Sequence, residues 1–335
     1  MVLALKCRLK DANRIKKELR EKGIYNKDYR MQTDVNFAYL PIRKKTAKKG
    51  CSVVQKRLKK IERITTLADV LKNKLSKEEL TFLPSAYDVV GEIAILEIKP
   101  EIKSKEKIIA QALLKLHKNI KTVVKKADSH AGEFRLQKHK HLAGKRQKTT
   151  IHKENGVRLK LDIDKVYFSV RLGTERMRIA QKVKKGENVL VMFSGCAPYP
   201  LVIAKNSKPG LVVGIEKNKD GHRFALENLK LNKDLTNVEL ILGDVKKIMP
   251  KLKRKFDRIC MPLPMSAEDF LDSALKAAKK GTVIHFYDFL EEKDIPKKAI
   301  EKIKTHVKKA KILDVVKCGQ FSPKTYRICV DFKIL

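Results

Sequence analysis

The sequence predicts an α/β protein whose C-terminal half folds as one open sheet, preceded by two smaller α+β modules. Three observations predict it. First, Val189 to Phe193 is apolar throughout and rich in β-branched and aromatic residues, as a buried strand is. Ser194 to Pro200 then turns the chain into a helix whose first turn suits Pro198 or Pro200. Second, three later strands end in candidate ligand contacts: Leu211 to Glu216 in a carboxylate, Asn237 to Asp244 in Gly-Asp, and Phe256 to Pro264 in a proline-stiffened loop. Third, strands and helices alternate from residue 189 onward and close in two strands, Ile312 to Cys318 and Tyr326 to Phe332, expected as an antiparallel pair. Four such strand ends belong on the carboxyl edge of one sheet, where open α/β folds bind ligands. Gly195 lets the backbone approach a ligand, and the helix end offers free N–H groups. Glu216 stands where a carboxylate accepts both hydroxyls of a ribose, and Asp244 where it meets an adenine edge. There is no G-x-G-x-x-G, and a bare strand–turn–helix is equally compatible with structure alone. The set of four is what points to a nucleotide.

Composition bounds the partners. The 335 residues have room for two or three domains, and a hydrophobic fraction of 43% fills a core. Lys and Arg number 77 against 38 Asp and Glu, a formal charge of +39. The excess runs along the whole chain rather than in one tail, so it reads as a nucleic-acid-facing surface rather than a merely solvated one. No window approaches eighteen consecutive apolar residues and the N-terminus is not a signal peptide, so a cytoplasmic protein is expected. The six cysteines are scattered, which argues against disulfides and structural metal.

In chain order, Val2 to Arg8 reads as a strand, and Asp11 as the cap of a helix from Ala12 to Lys22 that stops at Gly23. Phe37 to Ile42 is another strand. Lys44 to Lys60, basic and poor in apolar residues, reads as a mobile or RNA-facing surface. With a boundary near Thr65, residues 1–65 form a small α+β module. Residues 66–164 form a second: a helical stretch to Leu80, a strand from Tyr87 to Ile98 broken at Gly91, a helix from Lys105 to Leu116 and a strand from Thr122. His130, His139 and His141 are candidate metal ligands, but no cysteine supports them, and basic side chains facing phosphate are the preferred reading. Lys148 to Asp162 is a hairpin turning at Asn155-Gly156. Residues 165–335 are the C-terminal domain. Thr174 is expected to cap its first helix, with Glu175, Arg176 and Arg178 near the mouth of the site. Glu175 is equally readable as a first-turn carboxylate on the helix dipole. After Pro264 follow a helix from Ala267 to Lys279, a strand from Gly281 to Tyr287 and a helix from Pro296 to Lys308. This alternation, closed by a hairpin, is the arrangement of class I (Rossmann-like) methyltransferases that use S-adenosylmethionine. A dehydrogenase more often has several glycines in its first turn.

Several blocks resemble the archaeal tRNA (guanine, position 37, N1)-methyltransferase family along nearly the whole chain. They include Tyr87-Asp-Val-Val-Gly91, Gly132-Glu-Phe-Arg135, Thr150-Ile-His-Lys-Glu-Asn-Gly156, Lys165-Val-Tyr-Phe-Ser169 and Arg171-Leu-Gly-Thr-Glu-Arg176. The resemblance implies two tRNA-gripping domains ahead of the methyltransferase domain, S-adenosylmethionine as donor, guanine N1 beside the anticodon as acceptor, and a monomer without metal. It further implies that Arg135 steadies guanine O6 and that Glu175 is the general base. Arg176, Phe193, Gly195, Glu216, Lys217, Asp244, Val245 and Pro262 would line the donor pocket. The residue types suit that chemistry. Guanine N1 carries a proton that a base must remove, and the charge that spreads to O6 needs a cation.

The chain departs from the family's pattern in places. Pro262-Leu-Pro264 replaces Asn-Leu-Pro, Val191 replaces an Asp, Gly195-Cys-Ala-Pro198 replaces Gly-Val-Gly-Pro, and Glu216 replaces an Asp. The alternatives are therefore methyl or aminocarboxypropyl transfer to a wyosine precursor at the same tRNA position, or a tRNA-binding protein without catalysis.

Overall fold

The computed structural model describes residues 1–61, 66–127, 132–263 and 265–335. The expected boundary at Thr65, and the residues His130 and Pro264, lie outside the described residues. The chain divides into two compact units, Met1–Val70 and Leu71–Leu335.

In the first unit four antiparallel strands stand in the order Gln32–Thr33, Phe37–Pro41, Val2–Arg8, Ser52–Lys56. The helix Ala12–Glu21 lays Ile15 and Leu19 on Leu5, Cys7 and Leu40. Two expectations change. Asp11 does not cap this helix with its side chain; its carboxylate accepts from Arg14 at 2.9 Å instead. The basic stretch 44–60 contains the strand Ser52–Lys56, paired with Val2–Lys6. Two adjacent valines explain it. Alternation sends them to opposite faces, Val53 against the helix-side core and Val54 against Ala4, Tyr39 and Leu58.

The helical stretch expected up to Leu80 is two short helices, Leu67–Leu71 and Lys77–Thr81. Ser76 and Glu79 close a capping box that starts the second one afresh. Four strands follow in sheet order, Asp88–Val90, Ile93–Leu96, Thr122–Lys126 and His139–Gly144, with the helix Glu106–Leu116 against them. His139 is not turned to solvent or phosphate as expected. It sits inside, bonded to Asp164 at 2.7 Å, because Asp164 and Lys148 offer it a buried polar niche. The hairpin Thr149–Glu154/Val157–Asp162 turns at Asn155 and Gly156, both left-handed. It presses on Gly91, where a Cβ would stand 2.3 Å from Thr150 Oγ1 and 2.5 Å from the Ile151 carbonyl oxygen.

The last sheet has seven strands: β1 Asn188–Met192, β2 Leu211–Glu216, β3 Val238–Leu242, β4 Phe256–Met261, β5 Ala278–Glu291, β6 Ala310–Ser322 and β7 Thr325–Ile334. Their order is β3-β2-β1-β4-β5-β7-β6. β1 to β5 are parallel, and β7 runs antiparallel to both neighbours. The carboxyl ends of β1, β2, β3 and β4 therefore lie on one edge, as expected, while β5, β6 and β7 run longer than the apolar pattern indicates.

Two asparagines fasten the hairpin to this sheet. On the helix Lys219–Leu231, Asn228 is fully buried; its side chain accepts from Lys160 N and donates to Lys160 O and Cys196 O, at 2.6, 3.0 and 2.9 Å. At the helix end, Asn232 repeats the pattern on Arg158, accepting at 3.0 Å and donating at 2.8 Å. Four residues of helix rise about 6 Å and two residues of strand about 6.6 Å, so two side-chain amides imitate a neighbouring strand. Asn228→Ala leaves three backbone groups unpaired in the interior. It should cost on the order of 3 kcal/mol, read as a lower denaturation midpoint, with Asn228→Asp intermediate. An unchanged midpoint contradicts the staple.

Candidate active site

In the turn after β1 every second residue is left-handed. Phe193, Gly195 and Ala197 have φ of 58, 57 and 67°, and Ala197 leads into the helix Pro198–Asn206, labelled α2, with Pro198 at its first position. Such winding aims successive backbone groups inward and needs external support. Glu216, at the end of β2, gives it: one carboxylate oxygen accepts from Gly195 N at 2.6 Å and the other from Asn218 N at 2.7 Å. Burial pushes the Glu216 carboxyl above its ordinary range, against the pull of the Asn218, Gly195 and Lys217 amides. Ser194, 3% exposed, has a buried hydroxyl that finds no partner among the described residues. A buried polar atom in that state fits a polar ligand beside the turn.

One cavity of about 1200 Å³ opens here, entirely within the second unit. The expected donor residues Arg176, Phe193, Gly195, Glu216, Lys217, Asp244, Val245 and Pro262 all line it, as does Arg135. Asp244 caps the short helix after β3 through Lys246 N at 2.8 Å and pairs with Lys217 at 3.0 Å. Lys217 also bonds Glu133 at 2.5 Å, which ties the loop before Arg135 to the Glu216 and Asp244 end of the cavity. Arg135 has φ of 51°, and its guanidinium lies 5.4 Å from the ring centres of both Tyr167 and Phe289. Burial lowers its pKa; Tyr167 opposes that shift and Arg327 adds to it. Arg327 donates to Tyr167 Oη at 2.8 Å and lies 5.1 Å from the Phe289 ring, against which Phe321 packs at 4.2 Å. Tyr167, Phe289, Phe321 and Arg327 were not singled out from sequence. They come from the 165–169 block and from three long strands whose facing the apolar pattern does not reveal.

The loop after β4 offers the cavity an apolar wall. Pro262 has no N–H, the Leu263 amide closes on Met261 O at 2.7 Å, and Met265 adds a half-exposed thioether. Where the family pattern carries an Asn amide, this position has no donor. Val191 is fully buried in β1 between Gly214 and Cys260 and takes no part in the lining.

The expectation that Glu175, Arg176 and Arg178 sit at the mouth is corrected, as is the cap. The helix Gly173–Lys182, labelled α1, begins after Leu172, with Thr174 already inside it and no side-chain cap. Successive helical residues point about 100° apart, so Glu175 and Arg176 cannot share a face. Arg176, 2% exposed, forms part of the cavity floor, held by Glu154 through two bonds of 2.5 Å. Glu175, 5% exposed, is absent from the cavity lining and turns toward β5 and β7. Its carboxylate accepts from Arg178 at 2.6 and 2.7 Å and from Tyr287 Oη at 2.5 Å. Arg178 reaches on to Asp331, which also binds His285 at 2.6 Å. Burial alone would raise Asp331, but His285 and Arg178 outweigh it and hold the carboxyl far below its usual range. His285, Cys329 and Asp331 are close enough to share a cation, yet Arg178 and Lys182 already supply Asp331 with positive charge.

The strand order, with carboxylates at the ends of β2 and β3 around one cavity, defines a class I methyltransferase architecture. Residues 150–316 match the TRM5/TYW2 methyltransferase domain, residues 67–148 the TYW2 N-terminal domain, and residues 4–49 the tRNA methyltransferase 5 N-terminal domain. A tRNA (guanine(37)-N(1))-methyltransferase Trm5b of Pyrococcus abyssi is 37% identical over 100% of this chain and 99% of its own. The structure of aTrm5 in complex with tRNALeu is similar at a TM-score of 0.79 and 33% identity, covering 99% of this chain and 100% of that one. Methanocaldococcus jannaschii Trm5 in complex with adenosine is similar at 0.66 and 32%, covering 99% of each chain. The chain belongs to the TRM5/TYW2 methyltransferase family.

Arg178→Leu removes the cation shared by two buried carboxylates and should destabilise the second unit by about 3 kcal/mol, measured by denaturant titration. The depressed pKa of Asp331 contributes stability that is complete above the unfolded value near about 4 and is lost as pH falls below it. The variant should therefore lose less stability on acidification than the wild type. A wild-type midpoint and acid limb in the variant would refute this reading of the network.

Proposed function

We propose that this protein transfers a methyl group from S-adenosylmethionine to N1 of guanine 37, beside the anticodon of tRNA. The observation that carries the reading is the single cavity with nucleotide-type carboxylates, Glu216 and Asp244, at one end and Arg135 in an aromatic setting at the other. The full-length likeness to tRNA (guanine(37)-N(1))-methyltransferases supports it. So does the formal charge of +39, which suits a polyanion. The divisions 1–65, 66–164 and 165–335 are read as two RNA-holding parts and a methyltransferase part, acting as a cytoplasmic monomer. Among the described residues no helix is long and apolar enough to cross a membrane.

The residues fit the donor. Glu216 is placed for the ribose hydroxyls and Asp244 with Val245 for the adenine. Phe193, Ser194, Gly195, Arg176, Lys217 and Pro262 complete the wall. The sulfonium group supplies the methyl and its own leaving group. The chain's residues do the rest. A stacked base beside an anticodon is turned out into the cavity, where Tyr167 offers an aromatic face. Arg135, partly desolvated and braced by Tyr167 and Phe289, meets the charge that grows on O6. Glu175 is the proton acceptor for N1. The apolar wall at Pro262 leaves orientation of the base to Arg135 and the aromatic rings.

Labelled methyl transfer to unmodified tRNA transcripts with G or A at position 37, followed by nucleoside analysis, tests this. N1-methylguanosine from the G transcript alone is expected; tRNA binding without product contradicts it. Arg135→Ala should cut turnover by about 100-fold or more while tRNA affinity stays near wild type. A wild-type rate removes Arg135 from its role. Glu216→Gln should weaken donor binding by about tenfold or more. In the wild type, donor affinity should fall as pH drops through the raised Glu216 pKa, since the protonated carboxyl loses an acceptor. Affinity flat between pH 4 and 8 argues against the ribose contact.

A further inference from the structure

We propose that Tyr199 and Tyr287 form a two-hydroxyl proton wire from the cavity floor to Glu175. The inference rests on the guanine-N1 reading and supplies the path that reading lacks. Glu175 is the expected base, yet its carboxylate is off the cavity wall, behind α2 and β5. Between the two lie Tyr199, in the first turn of α2 and part of the cavity floor, and Tyr287 on β5. Tyr199 donates to Tyr287 Oη at 3.2 Å, and Tyr287 donates to Glu175 Oε1 at 2.5 Å. Both donors point the same way, from the cavity toward the carboxylate. That is the polarity a wire needs to deliver a proton to Glu175.

The surroundings favour transport over mere packing. Tyr199 and Tyr287 are 4% and 1% exposed in one core cluster with Val191, Ala197, Val202 and Cys260, and the Arg176 guanidinium lies 5.9 Å from the Tyr199 ring. A phenylalanine fills such a core without the cost of burying a hydroxyl. Burial pushes both phenols well above their ordinary pKa. Each therefore stays neutral and can pass a proton only by receiving one. The two bonds from Arg178, one to each oxygen, keep the Glu175 carboxylate compensated in the interior, and Oε1 accepts from Tyr287 as well.

The step balances. The N1–H bond breaks and its proton goes to Tyr199 Oη as the Tyr199 proton passes to Tyr287 and the Tyr287 proton to Glu175. The electron pair stays on N1 and forms the bond to the methyl carbon of the sulfonium donor. The carbon–sulfur bond breaks with its electrons to sulfur. One carboxylate and one sulfonium become a carboxylic acid and a thioether. Tyr199 is then a catalytic residue that touches the base, and Tyr287 acts through it.

The test is single-turnover methyl transfer to G37 tRNA in mixtures of H₂O and D₂O, for wild type, Tyr199→Phe and Tyr287→Phe, with donor and tRNA Kd measured alongside. Each variant should be slowed by about 100-fold at unchanged Kd. The wild type should show a curved dependence on deuterium fraction, reporting several protons in flight, and the variants a shallower straight line. A Tyr287→Phe enzyme with the wild-type rate overturns the wire. A slowed variant that keeps the wild-type curvature does so too, since it shows a structural role. A wild type that makes no N1-methylguanosine overturns the guanine reading itself, and the wire with it.

Discussion

Much of this site depends on one carboxylate. Glu216 holds the amides of Gly195 and Asn218 at once, which fixes the left-handed turn after β1 to the end of β2. That turn aims α2, places Tyr199 on the floor and opens the cavity toward the ends of β3 and β4. The carboxylate is almost wholly desolvated, and its bonds are to neutral amides rather than cations. It keeps acceptor capacity for a diol, which is what the proposed ribose contact requires of it.

A second network stands back to back with the first. Arg178, Asp331, His285 and Glu175 join α1 to β5 and β7 in the interior. Removing both charges of such an ensemble often costs little, while removing one costs much. The retention of four polar groups there, connected to the cavity through two tyrosines, is intelligible if the network moves protons as well as holding elements together.

How far the sequence carries can be seen residue by residue. Glu216, Asp244, Gly195 and Pro198 were legible because an open α/β sheet gathers its strand ends on one edge, so position along a strand already implies position in the site. The roles of Arg135 and Glu175 came only from family resemblance. Their surroundings lie far apart in the chain, at Tyr167, Phe289, Arg327, Tyr199 and Tyr287. Asn228 and Asn232 were missed because side chains four apart on a helix are expected at the surface when polar, and nothing local shows that an edge strand faces them. The Ser52–Lys56 strand was hidden by its lysine-rich surroundings, and the inward His139 by an Asp164 partner 25 residues away. Caps at Asp11 and Thr174 failed because the preceding residues already turn in a short 3₁₀ helix, which shifts where the first free amide lies.

The departures at Val191 and Pro262 are unequal in effect. Val191 lies in the sheet core and leaves the cavity lining as it is, whereas Pro262 removes a hydrogen-bond donor from the cavity wall. In the proposed reaction the weight of recognition therefore falls on the Glu216 end for the donor and on Arg135 with its rings for the acceptor. The measurement that tests this most directly is a crystal structure with S-adenosylhomocysteine. Both ribose hydroxyls are expected within hydrogen-bond distance of Glu216, with the adenine beside Asp244 and Val245 and the sulfur turned toward Arg135. A nucleoside bound away from Glu216, or outside this cavity, would contradict it.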